Sequence, residues 1–270
     1  MEKKVSNKTE NSANFNIPVK IAVLIDGGFF IKRYNSLYNK EKLKTAEEVA
    51  DDIYTLAHSH VGKENYLYRI FFYDCIPFEK RVHNPISKKC IVFEKTPEAI
   101  FRNNIFEFLK QKRKVALRLG YLKDSGHWLI RPSKVKDLLA KNIGIDDLSE
   151  DDVYYDLRQK SIDMKIGVDI ASLSLKHFVD RIVLISGDAD FVPAAKLARR
   201  EGVDFILDPM MAHVDNSLFE HIDGMKSPKF CRKADSSIGS TMDVKTESSP
   251  KTSGKINRSK TKKVPRKIKK

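Results

Sequence analysis

Residues 19–28 read VKIAVLIDGG. The unbroken apolar stretch from Ile21 to Ile25 leaves no polar face, so it predicts a short strand covered on both sides, as in a parallel sheet. It ends in an aspartate followed by two glycines. A second segment, RIVLISGD at residues 181–188, has the same build and ends at Asp188. Two inner strands that both stop at a carboxylate define one edge of a sheet.

The segments between these strands alternate in period. Thr45 with Glu48 three residues on forms a capping box, and Val49, Ile53, Ala57 and Val61 follow at four-residue spacing, which predicts a helix with one buried face. YLYRIFFYDC at 66–75 reads as a further inner strand closing at Asp74. Thr96-Pro97 opens another helix, in which Phe101, Ile105 and Phe108 share a face. From 115 to 132 the period drops to two, and Asp124-Ser125-Gly126 reads as the turn of a β-hairpin whose first arm can join the main sheet. An acidic stretch from Asp146 to Asp156 precedes a helix carrying Ile166, Ile170 and Leu173. PAAKLARREG predicts a helix closed by Gly202, and VDFILD, 203–208, the last strand. Strands alternating with helices imply a doubly wound, mainly parallel α/β sheet with right-handed crossovers.

Composition narrows the partners. Fifty Lys and Arg against 36 Asp and Glu leave a formal charge of +14 over 270 residues, so polyanions are favoured, nucleic acid first. The three cysteines, Cys75, Cys90 and Cys231, form no CxxC pair and predict neither a disulfide framework nor a thiolate zinc site. A reducing, cytoplasmic setting without membrane insertion is expected. The polar leader (1–18) and the Ser, Thr and Lys-rich tail (226–270) are expected to be disordered, flanking one folded domain at 19–225.

Ligands of such sheets bind beyond the carboxyl ends of the strands. Asp26 and Asp188 stand at that edge. Asp163, opening the helix that leads into the second of these strands, is expected at the same edge, with Asp190 close behind. Like charges gathered in this way raise one another's pKa, and a hard divalent cation, Mg²⁺ or Mn²⁺, is the natural remedy. Each carboxylate also has a blander reading. Asp163 and Asp190 suit helix caps, and Asp26 suits an Asx-turn before the two glycines. Asp169, six residues past Asp163, is read as a structural carboxylate, and Asp74 as either a pocket wall or an ordinary strand end.

VLIDGG, KSIDMKIGVD at 160–169 and LISGDADFVPAAKLARREG at 184–202 together resemble the NYN domains of the LabA-like group, relatives of PIN nucleases. The resemblance spans roughly residues 19 to 210. It implies a PIN-like α/β/α sandwich whose acidic pocket binds Mg²⁺ or Mn²⁺ and cleaves RNA. The family's first-strand aspartate falls on Asp26, that of its K-G-V-D motif on Asp163, its S-G-D-x-D-F pair on Asp188 and Asp190, and its later helix aspartate on Asp169. Two departures stand out. Phe29 and Phe30 occupy the place where many relatives carry asparagine, and Ser161 replaces the K-G-V-D glycine.

Phosphate contacts are expected from Arg33, Arg118, Arg131 and Lys160, and base stacking from Tyr121 and Trp128, although a solvated face and ordinary packing explain each of them singly. His58 and His60 point apart on their helix and receive no role. The combined expectation is a metal-dependent endoribonuclease that uses Asp26, Asp163, Asp188 and Asp190 as catalytic metal ligands. RNA is the expected partner, with DNA as the alternative and a homo-oligomer left open. A nucleic-acid-binding adaptor with a weak pocket and a nucleotide phosphatase are the rivals.

Overall fold

The computed structural model describes residues 17–38 and 44–228. The expected leader and basic tail lie outside these residues except for Ile17, Pro18 and 226–228. In chain order the elements are β1 (Lys20–Asp26), α1 (Gly27–Tyr38), α2 (Ala46–Val61), β2 (Tyr66–Cys75), β3 (Arg81–His83), β4 (Cys90–Val92), α3 (Pro97–Lys110) and β5 (Val115–Ile130). They continue with α4 (Pro132–Leu139), β6 (Val153–Lys160), α5 (Ile162–Leu175), β7 (Arg181–Ile185), α6 (Val192–Arg200), β8 (Asp204–Asp208), α7 (Asn216–Phe219) and β9 (Gly224–Met225).

Seven strands form one sheet in the order β6-β5-β2-β1-β7-β8-β9, and β3-β4 pair separately. Every pairing of the large sheet is parallel except β5 with β6. The continuous apolar run of β1 is explained by its place in the middle, where Ile21 to Ile25 are fully buried. Alternate residues feed two cores. Ile21, Val23 and Ile25 pack with α1, α2 and α3 on one face, whereas Ala22 and Leu24 pack with α5 and α6 on the other. The result is a three-layer α/β/α sandwich.

The helix reading of 46–61 holds, with Thr45 Oγ1 accepting from Glu48 N at 3.2 Å and Glu48 Oε2 accepting from Thr45 N at 2.7 Å. Thr96 and Pro97 likewise open α3. Three expectations are corrected. Residues 115–130 are not a hairpin but one long strand. Its first part pairs with β2, while residues 121–130 extend past the sheet and pair with β6. Asp124-Ser125-Gly126 makes a bulge there, Gly126 taking φ 74°, which two-residue periodicity cannot distinguish from a turn. VDFILD is followed by β9, too short to leave a pattern. No helix is expected directly after Asp26, yet α1 begins at Gly27.

His60 is buried, as its place on the inner side of α2 requires. Its Nε2 lies 2.9 Å from Asp208 Oδ2, and Asp208 Oδ1 also accepts from Met210 N and Ser227 Oγ. His58 faces outward and bonds the Tyr54 carbonyl, so the two rings share no ligand.

Candidate acidic site at the switch point

The chain leaves β1 toward α1 on one face and leaves β7 toward α6 on the other. Neighbouring strands whose connections diverge in this way leave a crevice above their carboxyl ends. Asp26 closes β1, and Asp188 lies three residues past β7, so both stand at that crevice. Gly27 is what allows the sharp passage from strand to helix. A Cβ there would lie 2.6 Å from the Tyr73 carbonyl oxygen and 2.8 Å from Phe72 Cζ.

Asp26 is half-buried. Its Oδ1 accepts from Phe29 N at 3.0 Å, and Ser186 Oγ lies 3.5 Å from Oδ2. Burial first, and then the charges of Asp163 and Asp74, push its pKa from 3.8 to about 6 against the lowering effect of the Phe29 hydrogen bond. Asp163 sits in the first turn of α5, exposed, with its pKa raised by residual burial and then by Asp188 and Asp190. Asp188 Oδ1 accepts from Asp190 N at 2.9 Å, which opens the short 3-10 turn before α6. The blander roles are therefore partly filled, since Asp26 and Asp188 do bond nearby backbone. Asp163 caps nothing, because the cap position belongs to Ser161. Asp190 lies inside the turn that Asp188 caps.

None of these four carboxylates forms an ion pair among the described residues. Their fields reach one another, but they do not form a closed cage. Among the described residues no group of three His, Cys, Asp or Glu side chains could hold a metal ion. The donor chemistry fits a hard cation all the same: oxygen donors, mutual repulsion, and an exposed rim where water can complete the coordination sphere. Mg²⁺ and Mn²⁺ suit such donors, Mg²⁺ commonly taking only one or two carboxylates plus water.

Other candidates are placed differently. Asp169 accepts from Tyr73 Oη at 2.8 Å and from Arg118 Nε at 2.9 Å, which places Arg118 in an ion pair on the α5 face. Asp74 is buried, with both of its oxygens 2.8 Å from Arg102 Nη1. Arg33 donates from Nε and Nη2 to the Met210 carbonyl just past β8. Arg131 lies at the far end of the β5–β6 extension, bonded to the Asp151 carbonyl, rather than at the rim. Lys160 is exposed where β6 returns to the rim, opposite Tyr121. Trp128 packs edge-on against Tyr155 with ring centroids 5.4 Å apart.

Two residues at the crevice escaped the sequence reading. The Gln159 amide lies 3.2–3.3 Å from where a Cβ on Gly28 would stand, beside Asp26, and Ser186 is fully buried under Asp26. The serine could have been suspected from its place in the SGD turn. Nothing local distinguishes Gln159. Phe29 packs its ring against Gly187 and partly joins the core, so it braces the crevice rather than lining it with a donor.

Ser161 takes φ 72° and ψ 1°, the left-handed region. A Cβ costs about 1–2 kcal/mol there, whereas glycine's freedom in the unfolded chain returns about half of that. Ser161→Gly should therefore stabilise the protein by about 0.5–1 kcal/mol, read as a higher urea midpoint at unchanged slope.

Residues 88–238 match the NYN domain family. That span takes in Asp163, Asp188 and Asp190, and Asp26 precedes it. Among solved structures, a protein of unknown function from Vibrio parahaemolyticus is similar at 14% identity and a TM-score of 0.42, over 78% of this chain and 94% of that one. No curated protein matches the chain. Among the described residues no helix is long and apolar enough to cross a membrane.

Proposed function

We propose that this chain, which belongs to the NYN domain family of PIN-like proteins, is a metal-dependent endoribonuclease of the LabA-like kind. The observation that carries the proposal is the set of carboxylates at the switch-point crevice. Besides burial, Asp163 makes Asp26 costlier to ionise, and Asp188 and Asp190 do the same to Asp163, while none of the four forms an ion pair among the described residues. An arrangement so unfavourable by itself suits a site that binds positive charge.

Asp26 would be the inner ligand, oriented by Phe29 N and Ser186, and Asp163, Asp188 and Asp190 would hold the ion's exposed side directly or through water. When bound, Mg²⁺ or Mn²⁺ would lower the pKa of a coordinated water and stabilise the leaving oxygen of a phosphodiester. Gln159, beside Asp26, is placed to orient a water or a phosphate oxygen. Ionised Asp26 is the competent form, so activity should rise with pH through about 6 in weakly loaded enzyme.

The test incubates purified protein with single-stranded RNA and Mn²⁺ beside Asp26→Asn and Asp188→Asn. Equal cleavage by all three rejects the assignment. A second reading, a nucleic-acid-binding adaptor with a weak pocket, is favoured by the lack of a three-ligand cage among the described residues. Calorimetric titration with Mn²⁺ separates the two, because an adaptor of this kind binds RNA without a metal isotherm that depends on Asp188.

A further inference from the structure

Beyond the sheet, β5 and β6 run on as a two-stranded antiparallel ribbon from the pair Tyr121–Lys160 to the pair Ile130–Val153. Its two faces are built for different purposes. One face carries Leu122, Leu157, Trp128 and Tyr155. Tyr155 packs on Trp128, on Phe78 at 6.0 Å and on Phe93 at 5.9 Å, and its hydroxyl donates to Asp124 at 2.6 Å. Lys80 holds the other oxygen of Asp124 at 2.9 Å. This face is a small core that keeps the ribbon stiff.

The opposite face is left to solvent. Tyr121 is 57% exposed, and Lys123, Arg158 and Lys160 are exposed beside it. Lys123 stands directly across from Arg158, and Tyr121 across from Lys160. Like charges opposed on one face of a ribbon are destabilising. Asp156, on the same face, bonds Arg158 at 3.1 Å, and among the described residues neither Lys123 nor Lys160 forms an ion pair. The face keeps a net positive charge that folding does not use. Gly120 sits at its base because a Cβ there would lie 2.6 Å from the Lys160 carbonyl, so the strands meet closely where the ribbon joins the rim. Lys160 is followed three residues later by Asp163, which ties the cationic face to the acidic crevice.

We propose that this exposed face of the β5–β6 ribbon is a track for single-stranded RNA, with Tyr121 stacking on one base and Lys123, Arg158 and Lys160 contacting successive phosphates. An exposed ring flanked by cations fits an unpaired strand, which offers a free base face and a backbone together. A duplex hides the base face and leaves the ring without a partner. The track rests on the nucleic-acid reading above, but it does not need the crevice to be catalytic.

The test measures binding of a fluorescein-labelled 20-nucleotide oligouridylate to the full chain by anisotropy in EDTA, across a salt series. Tyr121→Ala should weaken binding about tenfold, and Tyr121→Phe should restore it, because the ring rather than the hydroxyl stacks. The Lys123→Ala/Arg158→Ala double variant should weaken binding and flatten the slope of log K against log salt by about 1.4, two contacts at about 0.7 each for a single strand. The same charge removal at Lys196 and Arg200 on α6 serves as the comparison. An equal loss there, or ribbon variants that bind as wild type does, overturns the track. Thermal melts guard against misfolding, and relief of the Lys123–Arg158 repulsion should hold or raise the midpoint. Wild type that binds but never cuts RNA defeats the nuclease reading while the ribbon variants still decide the track.

Discussion

Asp26→Asn should melt several degrees above wild type at pH 7.5 while losing at least about a hundredfold in RNA cleavage, the scale on which removing a directly acting group tells. The stability gain follows from linkage. The folded state holds the proton of Asp26 more tightly than the unfolded chain does, its pKa standing at about 6 instead of 3.8. Ionising the group therefore costs nothing below pH 3.8, becomes costly as pH rises from there to 6, and reaches at most about 3 kcal/mol above that. Asparagine keeps the oxygen that accepts from Phe29 N and carries no charge. The difference between the melting midpoints should shrink to nothing near pH 4. Saturating Mn²⁺ should narrow it at pH 7.5 by stabilising wild type alone, as a ligand bound only to the folded state must. A variant that melts lower than wild type at pH 7.5, or that cuts RNA at the wild-type rate, would sink this account of the crevice.

Arg102→Ala should cost about 3–5 kcal/mol at neutral pH, the penalty for leaving one partner of a buried ion pair uncompensated. Asp74 is 2% exposed and has Arg102 across both oxygens, with only Cys75 N besides among the described residues. Even so, burial outweighs the guanidinium and keeps the Asp74 pKa above 3.8. Without Arg102 it would rise further, so the destabilisation should diminish as pH falls and Asp74 takes up a proton. Urea unfolding at pH 7.5 and pH 4.5 reads both the loss and its pH dependence. The pair Arg102→Met with Asp74→Leu, which removes both charges, should recover most of the stability. An Arg102→Ala loss below about 1 kcal/mol, or one that grows as pH falls, would show that the pair is not what holds α3 against β2.

Much of the fold was legible because its strongest signals are local. The unbroken apolar runs of β1 and β7 can only be central strands, and the Thr45 and Thr96 caps mark helix starts by their own chemistry. The elements that escaped had signals that point two ways. Gly27 and Gly28 read as a turn, yet they begin α1, because the need for a missing Cβ arises from Tyr73 and Phe72 on a strand distant in sequence. The bulge at Ser125–Gly126 and a hairpin turn share the same residue types, and only the pairing with β6 decides between them. At the crevice, the rim positions of Asp26 and Asp188 followed from strand ends alone. Whether three carboxylates close into a cage depends on side-chain directions that no pattern encodes, and among the described residues none do. Charge alone marks Arg33 and Arg118 as phosphate candidates, and it does not reveal that each also has a protein partner, the Met210 carbonyl for one and Asp169 for the other. Gln159 reaches the crevice only because the ribbon returns there.

The position of β1 in the sheet has a consequence for the newborn chain. It is made before every other strand of its sheet but is flanked on one side by β7, so Ile21 must wait for Arg181, 160 residues later, before that edge is covered. Closure over so long a loop is slow, and the uncovered edge is open to other chains meanwhile. The two aspartates of the crevice come together only at that final docking step. Truncated products ending before residue 181 should therefore be sticky and inert, and a ribosome-bound chain should gain protease resistance abruptly, once β7 has cleared the exit tunnel.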